Sequence, residues 1–330
     1  MNVEHISLPP PTTGITEDTK NVLIYFIPGN PGLIGFYKPF LSTLRELIDT
    51  NPSLAAEKSK TAFHIYGQNL VGFSDDDHEP FTSSHKPYNL EQQIEHTLRA
   101  VSAQRTGQGQ KPFDRVILIG HSVGAFIALE VFHRIVEDPT LEPELNNERL
   151  SCGIMLFPTI DHIADSPNGK RMDLLRRTPI LGDNAYRIAR GFLRLVPYAM
   201  LHGFVGRVLG FPSHAADITT RWLKSRDGVW QTLHLAMDEM RSIREDKWSD
   251  ELWEISRDSQ ALPPRFYFYF GQNDDWVANR YRDEFIKKRS ERQGRTRIVM
   301  DESKIPHAFC IGHSESVAEK VHGWITELHT

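Results

Sequence analysis

The chain has 330 residues and 39% hydrophobic content, enough for one large core and compatible with one to three domains. Its formal net charge of −5 lacks the basic excess that nucleic-acid binding usually needs, so no nucleic-acid partner is expected. The two cysteines, Cys152 and Cys310, make neither a disulfide framework nor a zinc spacing, which points to a reducing compartment.

The first twenty residues lack the apolar and basic regions of a signal peptide, and none is expected. No stretch reaches 18 uninterrupted apolar residues, so no membrane-spanning helix is expected either. The first strand candidate is "NVLIYFI" (21–27), which runs into the loop "IPGNPG" (27–32). A helix follows over 37–48, then a strand over 62–67. "NLEQQIEHTLRAVSA" (89–103) reads as a helix with Asn89 as N-cap and Gln92 completing a capping box. "RVILIG" (115–120) is a strand, followed at once by an apolar helix over 123–136. Further strands are expected at 153–157, 265–271 and 297–300, and a last helix at 314–328. The strand runs are short, β-branched or aromatic and do not alternate, as strands buried on both faces do. Strand alternating with helix predicts a doubly wound α/β sheet with helices on both faces.

The pattern breaks between Pro158 and about Ser259. That region has no strand candidate and reads as a helical cap or lid inserted into a single α/β domain spanning 1–330. Within it, "YRIARGFLRLVPYAMLHGFVGRVLGF" (186–211) is amphipathic. Arg187, Arg190 and Arg194 recur on one helical face and Ile188, Phe192 and Leu195 on another. Pro197 should kink or end the first segment. Such a basic amphipathic helix either covers a core or lies in a lipid interface, with arginines at the phosphates. Trp222 and Trp230, in a second amphipathic piece, are candidates for core, pocket wall or interfacial anchor.

The sharpest motif is "GHSVG" (120–124) between the 115–120 strand and the following helix. A strand entering a helix through G-x-S-x-G is a nucleophile elbow, whose context on both sides is present here. Gly120 and Gly124 would remove collisions with the neighbouring strand and helix. Ser122 would stand at the tip of the turn, with the Val123 N–H pointing at any anion formed there. His121 should leave the elbow in another direction, as a packing or pocket residue.

A serine needs a base, and the base needs an orienting acid. In this arrangement the chain order is serine, acid, histidine. "YFGQNDDWV" offers Asp274 or Asp275 beyond a strand end, and "SKIPHAFCIGHS" offers His307 or His313. His307 follows Pro306 in a loop, which suits a residue projecting from a fixed turn. His313 stands at the expected start of the last helix, where capping or solvation is more ordinary. A second oxyanion donor usually comes from the loop after the first strong strand, which makes the Asn30 N–H the candidate.

Two weaker patterns remain. "DDDH" (75–78) looks like a metal site, but no sequence-distant partner group accompanies it, and a solvated loop is the simpler expectation. "HRIVED" (133–138) matches the H-x4-D pattern of some acyltransferases, yet its two residues fall on diverging faces of a helix.

Together, "VLIYFIPGNPGLIGFYKPFL", "GHSVGAFIALEV", "LFPTIDHIADSPNGK", "FGQNDDWV" and "IPHAFCIGHSESVAEKV" resemble the lipid droplet-associated hydrolases, from about residue 20 to the end. The resemblance implies an α/β-hydrolase fold. It also implies peripheral attachment to lipid droplets or the endoplasmic reticulum on the cytosolic face, and action on sterol esters, triacylglycerol or related esters. It places the nucleophile on Ser122, the acid on Asp274 (the D of G-x-x-D-x-W) and the base on His307 (the H of H-A-F). The expected protein is a serine ester hydrolase needing no metal or organic cofactor. The alternatives are a weakly catalytic or non-catalytic droplet scaffold, or an acyltransferase.

Overall fold

The computed structural model describes residues 3–55, 60–107, 110–177, 190–245, 248, 250–253, 264–290 and 296–329. Among the described residues seven strands form one sheet: β1 (His5–Leu8), β2 (Lys20–Ile27), β3 (Thr61–Gln68), β4 (Arg115–His121), β5 (Leu150–Leu156), β6 (Arg265–Phe270) and β7 (Thr296–Met300). Their order is β1-β3-β2-β4-β5-β6-β7. Every neighbouring pair is parallel except β1 with β3.

The expected central strands form where their apolar runs lie. β2 shows why those runs do not alternate in polarity. It sends Leu23, Tyr25 and Ile27 into one hydrophobic layer and Val22, Ile24 and Phe26 into the other. Helices α2 (Leu90–Ser102) and α3 (Val123–Glu137) cover the first face. Helices α1 (Lys38–Thr50) and α10 (Ser314–His329) cover the second. A strand covered on both sides has no solvent face to keep polar. At the start of α2, Asn89 accepts from the Gln92 N–H and Gln92 accepts from the Asn89 N–H, so the anticipated capping box is formed.

Two elements depart from the sequence reading. β1 has no counterpart in it: four residues with one buried side chain carry too little pattern, and the strand's existence rests on antiparallel pairing with β3. β5 starts at Leu150 rather than 153, because pairing with β4 begins where the Val116 N–H donates to Arg149 O.

Between β5 and β6 the described residues contain helices and no strand. They are α4 (Pro167–Arg177), α5 (Tyr198–Gly203), α6 (Ser213–Lys224), α7 (Gly228–Ser242) and the short α8 (Asp250–Trp253). Residues 190–195 are also helical, and the break at 196–197 leaves Pro197 as the N-cap of α5. Arg187, Ile188 and Ser259 lie outside the described residues. α7 is tied to the sheet domain by polar contacts. Asp227, its N-cap, accepts from the Phe81 N–H, Gln231 bonds both backbone groups of Tyr88, and Asp238 accepts from the Leu90 N–H. The last helix before β7, α9 (Asn279–Ser290), is charge-rich and packs into the core chiefly through Phe285.

The chain passes from β2 outward to β3, then returns to the other side of β2 as β4. Connections therefore leave in opposite directions from the carboxyl ends of β2 and β4. That reversal opens a crevice where ligands of open α/β sheets bind. The 27–32 loop and Ser122 both lie there.

Candidate active site

Ser122 has φ 55° and ψ −125°, a left-handed backbone for a residue with a Cβ. Strain of this kind costs about 1–3 kcal/mol and persists only where the surroundings enforce it. Here the enforcement is steric. A Cβ on Gly120 would lie 2.3 Å from the Gly124 carbonyl oxygen, and one on Gly124 would lie 2.3 Å from the Ile27 carbonyl oxygen. The glycines let strand, turn and helix close on one another. Gly29 brings the 27–32 loop equally near, since its Cβ would fall 2.8 Å from Ser122 Cβ. Val123 follows Ser122 as the first residue of α3, and Asn30 follows Gly29 in the loop that approaches the serine.

Asp274 and His307 are brought to the same point. The loop after β6 buries Asp274, whose Oδ1 accepts from the Trp276 N–H at 2.8 Å. Its other oxygen, Oδ2, meets His307 Nδ1 at 2.6 Å. Because a carboxylate only accepts, the proton of that bond sits on Nδ1 and leaves Nε2 with its lone pair. His307 Nε2 lies 2.9 Å from Ser122 Oγ, placed to accept from the hydroxyl. Asp275 does not join them: its carboxylate is 63% exposed, with Arg171 at 3.8 Å, against 1% for Asp274. His313 is exposed just before α10.

The loop that carries His307 is held by groups that no sequence motif marks. Asp301 accepts from the Ile305 N–H at 2.6 Å, the Ser303 N–H at 3.1 Å and the Tyr269 hydroxyl at 2.7 Å. His121 contributes a longer connection. Burial pushes its pKa well below the usual histidine value, so the ring is neutral with one proton. Its Nε2 faces the His307 carbonyl at 2.9 Å and must donate there. Its Nδ1 then accepts from the Tyr37 hydroxyl at 2.7 Å, and Tyr37 in turn accepts from the Gly29 N–H at 3.0 Å. One buried chain thus links the 27–32 loop, the elbow and the His307 loop. His121 is buried there, with a hydrogen bond at each ring nitrogen. Tyr37 has no motif around it, and sequence reasoning misses it.

Sequence reasoning also misses Glu239. It reaches the 27–32 loop from α7, its Oε1 accepting from Asn30 Nδ2 at 3.0 Å, while the same nitrogen donates to Thr232 O at 3.1 Å. The available signal is register: Gln231, Leu235 and Glu239 recur every four residues on the buried face of α7, and two of the three are polar.

The other patterns resolve differently. Asp75 and His78 do have a sequence-distant neighbour, Asp227, with possible ligand atoms of the three within 4.8 Å of one another. Arg226 already serves that cluster: its Nε donates to Asp227 at 2.7 Å, and its Nη2 donates to the Asp75 and His78 carbonyls. His133 stands beside Glu137 at 3.9 Å, while Asp138 accepts from Thr140, so the two ends of "HRIVED" have separate partners. Trp222 and Trp230 are half-buried, Trp222 donating to Thr232 Oγ1 and Trp230 touching the Phe81 ring. Cys152 and Cys310 are buried and are not joined in a disulfide.

Replacing Tyr37 by Phe would strip the Gly29 N–H and His121 Nδ1 of their partner in a buried setting. A loss of about 1–3 kcal/mol of unfolding free energy is expected in denaturant titration. A Tyr37→Phe protein as stable as the parent would contradict the chain of hydrogen bonds.

Residues 20–310 match the family described as lipid-droplet associated hydrolase. A lipid droplet-associated hydrolase of Rattus norvegicus is 30% identical over 92% of this chain and 84% of its own length. One from Dictyostelium discoideum is 26% identical over 94% and 90%. Among solved structures, a peroxisomal alpha-beta-hydrolase of Saccharomyces cerevisiae superposes with a TM-score of 0.60 at 12% identity, covering 98% of this chain and 81% of that one. A haloalkane dehalogenase of Bradyrhizobium elkani gives 0.55 at 15% identity, covering 99% and 100%. Those two likenesses establish the α/β-hydrolase fold. With the family match extending over most of its length, the chain belongs to the lipid-droplet associated hydrolases.

Proposed function

We propose that this protein is a serine ester hydrolase acting on lipid esters of the sterol ester or triacylglycerol class at the surface of lipid droplets. The observation that carries the reading is the continuous Asp274–His307–Ser122 hydrogen-bond chain, with separations of 2.6 and 2.9 Å. An alcohol bonded to a neutral imidazole, itself oriented by a buried carboxylate, is the arrangement that makes serine nucleophilic.

In this reading Ser122 Oγ attacks the acyl carbonyl while His307 Nε2 takes the hydroxyl proton. Negative charge gathers on the former carbonyl oxygen, between the N–H groups of Asn30 and Val123. The adjoining Gly29 N–H is committed to Tyr37, so Asn30 is the donor left to this end of the loop. Fixed donors of this kind contribute about 3–4 kcal/mol each to the transition state. Collapse expels the alcohol, which receives the proton from His307, and leaves an acyl group on Ser122. Water activated by the same imidazole then releases the fatty acid and restores the hydroxyl.

The 158–259 insertion supplies a docking surface in this proposal. Phe192, Leu195, Met200 and Val208 are each 66–84% exposed, on segments whose other side rests on α6, burying Leu201 and Val205. Apolar side chains left in water at this density suit a phospholipid monolayer over an apolar lipid store. The arginine face is only partly free: Arg190 lies 4.0 Å from the buried Asp227 carboxylate. No helix among the described residues is long and apolar enough to cross a membrane, which fits peripheral attachment to droplets or the cytosolic face of the endoplasmic reticulum.

A fluorophosphonate probe tests the nucleophile without knowledge of the substrate. Labelling is expected in the parent protein presented with lipid, absent in Ser122→Ala, and slowed about 10³–10⁴-fold in His307→Ala and Asp274→Asn. An unlabelled parent protein would favour a scaffold that retains the fold. Flotation with phospholipid-coated triolein droplets tests the surface. Phe192→Ser and Leu195→Ser are each expected to weaken binding about tenfold or more, from the loss of about 1.5–3 kcal/mol of apolar burial. Unchanged flotation of the double variant would place the docking surface elsewhere.

A further inference from the structure

We infer that Glu239 is held as a neutral carboxylic acid that donates its proton to Asn30 Oδ1, and that it thereby fixes the loop carrying the Asn30 N–H. The inference rests on the proposed function only for its catalytic consequence; the protonation itself stands on geometry.

Asn30 Nδ2 has two protons, and both are spoken for, by Glu239 Oε1 and Thr232 O. Asn30 Oδ1, on the same amide, is buried and has no hydrogen-bond partner among the described residues. A buried carbonyl oxygen without a donor is uncommon and costly. The group set against that amide is the Glu239 carboxyl. A carboxylate cannot help, because it only accepts; a carboxylic acid has an O–H to give. A planar amide and a planar acid then satisfy each other through two hydrogen bonds, N–H to O and O–H to O.

The surroundings favour the acid form. Glu239 is 4% exposed, and burial pushes its pKa up to about 8, helped by the negative charge of Asp238 and opposed by the bond from Asn30. The 27–32 loop facing it carries no charged side chain. Charged groups on the other packed elements are engaged elsewhere. On α2, Glu91 pairs with Arg134 and Glu95 with Arg99, and burial lowers the His96 pKa; Asp165 bonds Tyr281; on α6 Asp217 pairs with His202, Lys224 donates to the Leu193 and Val196 carbonyls, Arg221 is exposed, and burial lowers the His214 pKa. None supplies a cation to stabilise an ionised Glu239.

Ionisation would have two effects. It would remove the donor to Asn30 Oδ1 and leave two acceptors facing each other. It would also place a buried negative charge beside the loop that, in the proposed mechanism, receives the oxyanion. Both lower reactivity as pH rises past about 8. Linkage gives the sign for folding. The folded state holds a proton that the unfolded chain releases near 4.5, so the stability from this group is complete below 4.5 and is lost as pH rises to about 8.

Infrared difference spectra of the whole protein, parent against Glu239→Gln, test the inference at pH 7. The expected result is a protonated-carboxyl band present in the parent, absent in the variant, and disappearing with a midpoint near pH 8. In parallel, fluorophosphonate labelling of Ser122 is expected to fall above pH 8 in the parent and to lose that fall in Glu239→Gln. Glutamine can accept from and donate to Asn30 at any pH, so it is expected to label faster than Glu239→Ala throughout. A carboxylate signal for Glu239 at pH 7 would overturn the inference, as would an alkaline fall that persists in Glu239→Gln. If Ser122 takes no label in any variant, the hydrolase reading fails while the infrared result still decides the protonation of Glu239.

Discussion

The site depends on how closely four pieces of backbone can approach Ser122. Strand β4, helix α3, the end of β2 and the 27–32 loop meet there at separations that leave no room for a Cβ on Gly29, Gly120 or Gly124. That crowding is what holds Ser122 in a conformation its own side chain disfavours. It also brings the 27–32 loop against the serine, where the Tyr37 hydroxyl accepts from the Gly29 N–H. The large core on both faces of the sheet supplies the rigidity that makes such crowding sustainable.

Around that point, buried hydrogen bonds fasten segments that are distant in sequence. The Gly29–Tyr37–His121–His307 chain runs from the 27–32 loop to the loop that carries His307, through the residue that precedes the serine. Asp301 shapes the turn that delivers His307, and Arg282 donates to the Gly271 and Gln272 carbonyls in the loop that delivers Asp274. The insertion enters the same network through Glu239 and Asn30. The helices between β5 and β6 are thus joined to the 27–32 loop by hydrogen bonds from Asn30 to Glu239 and Thr232 on α7.

Features governed by local sequence are legible in the residues themselves. The G-x-S-x-G spacing, the Asn89–Gln92 capping box and the buried strands each follow from a few adjacent residues. Chain order places an acid and a histidine after the serine. The choice between Asp274 and Asp275 is not legible from the residues alone, because adjacent carboxylates have the same chemistry and differ only in which way the loop turns. Burial separates them: one carboxylate is 1% exposed and the other 63%. β1 is hidden because a four-residue edge strand owes its existence to its partner. Tyr37, Asp301 and Glu239 are hidden for a related reason, since each acts through a contact made across the fold. The "DDDH" segment shows the same limit from the other side. Its distant neighbour Asp227 exists, yet it comes with an arginine that no spacing rule announces.

The proposal for this protein joins two properties that the chain keeps apart: a reactive serine deep in a rigid crevice and a greasy, outward-facing insertion. The first requires fixed geometry and the second requires exposure. The most direct measurement is acid-quenched peptide mapping by mass spectrometry after brief exposure of the whole protein to a short-chain nitrophenyl ester. An acyl group is expected on the peptide containing Ser122 and is expected to be missing from Ser122→Ala. Ester turnover with no acyl group on Ser122, or with the acyl group on another residue, would contradict the proposal.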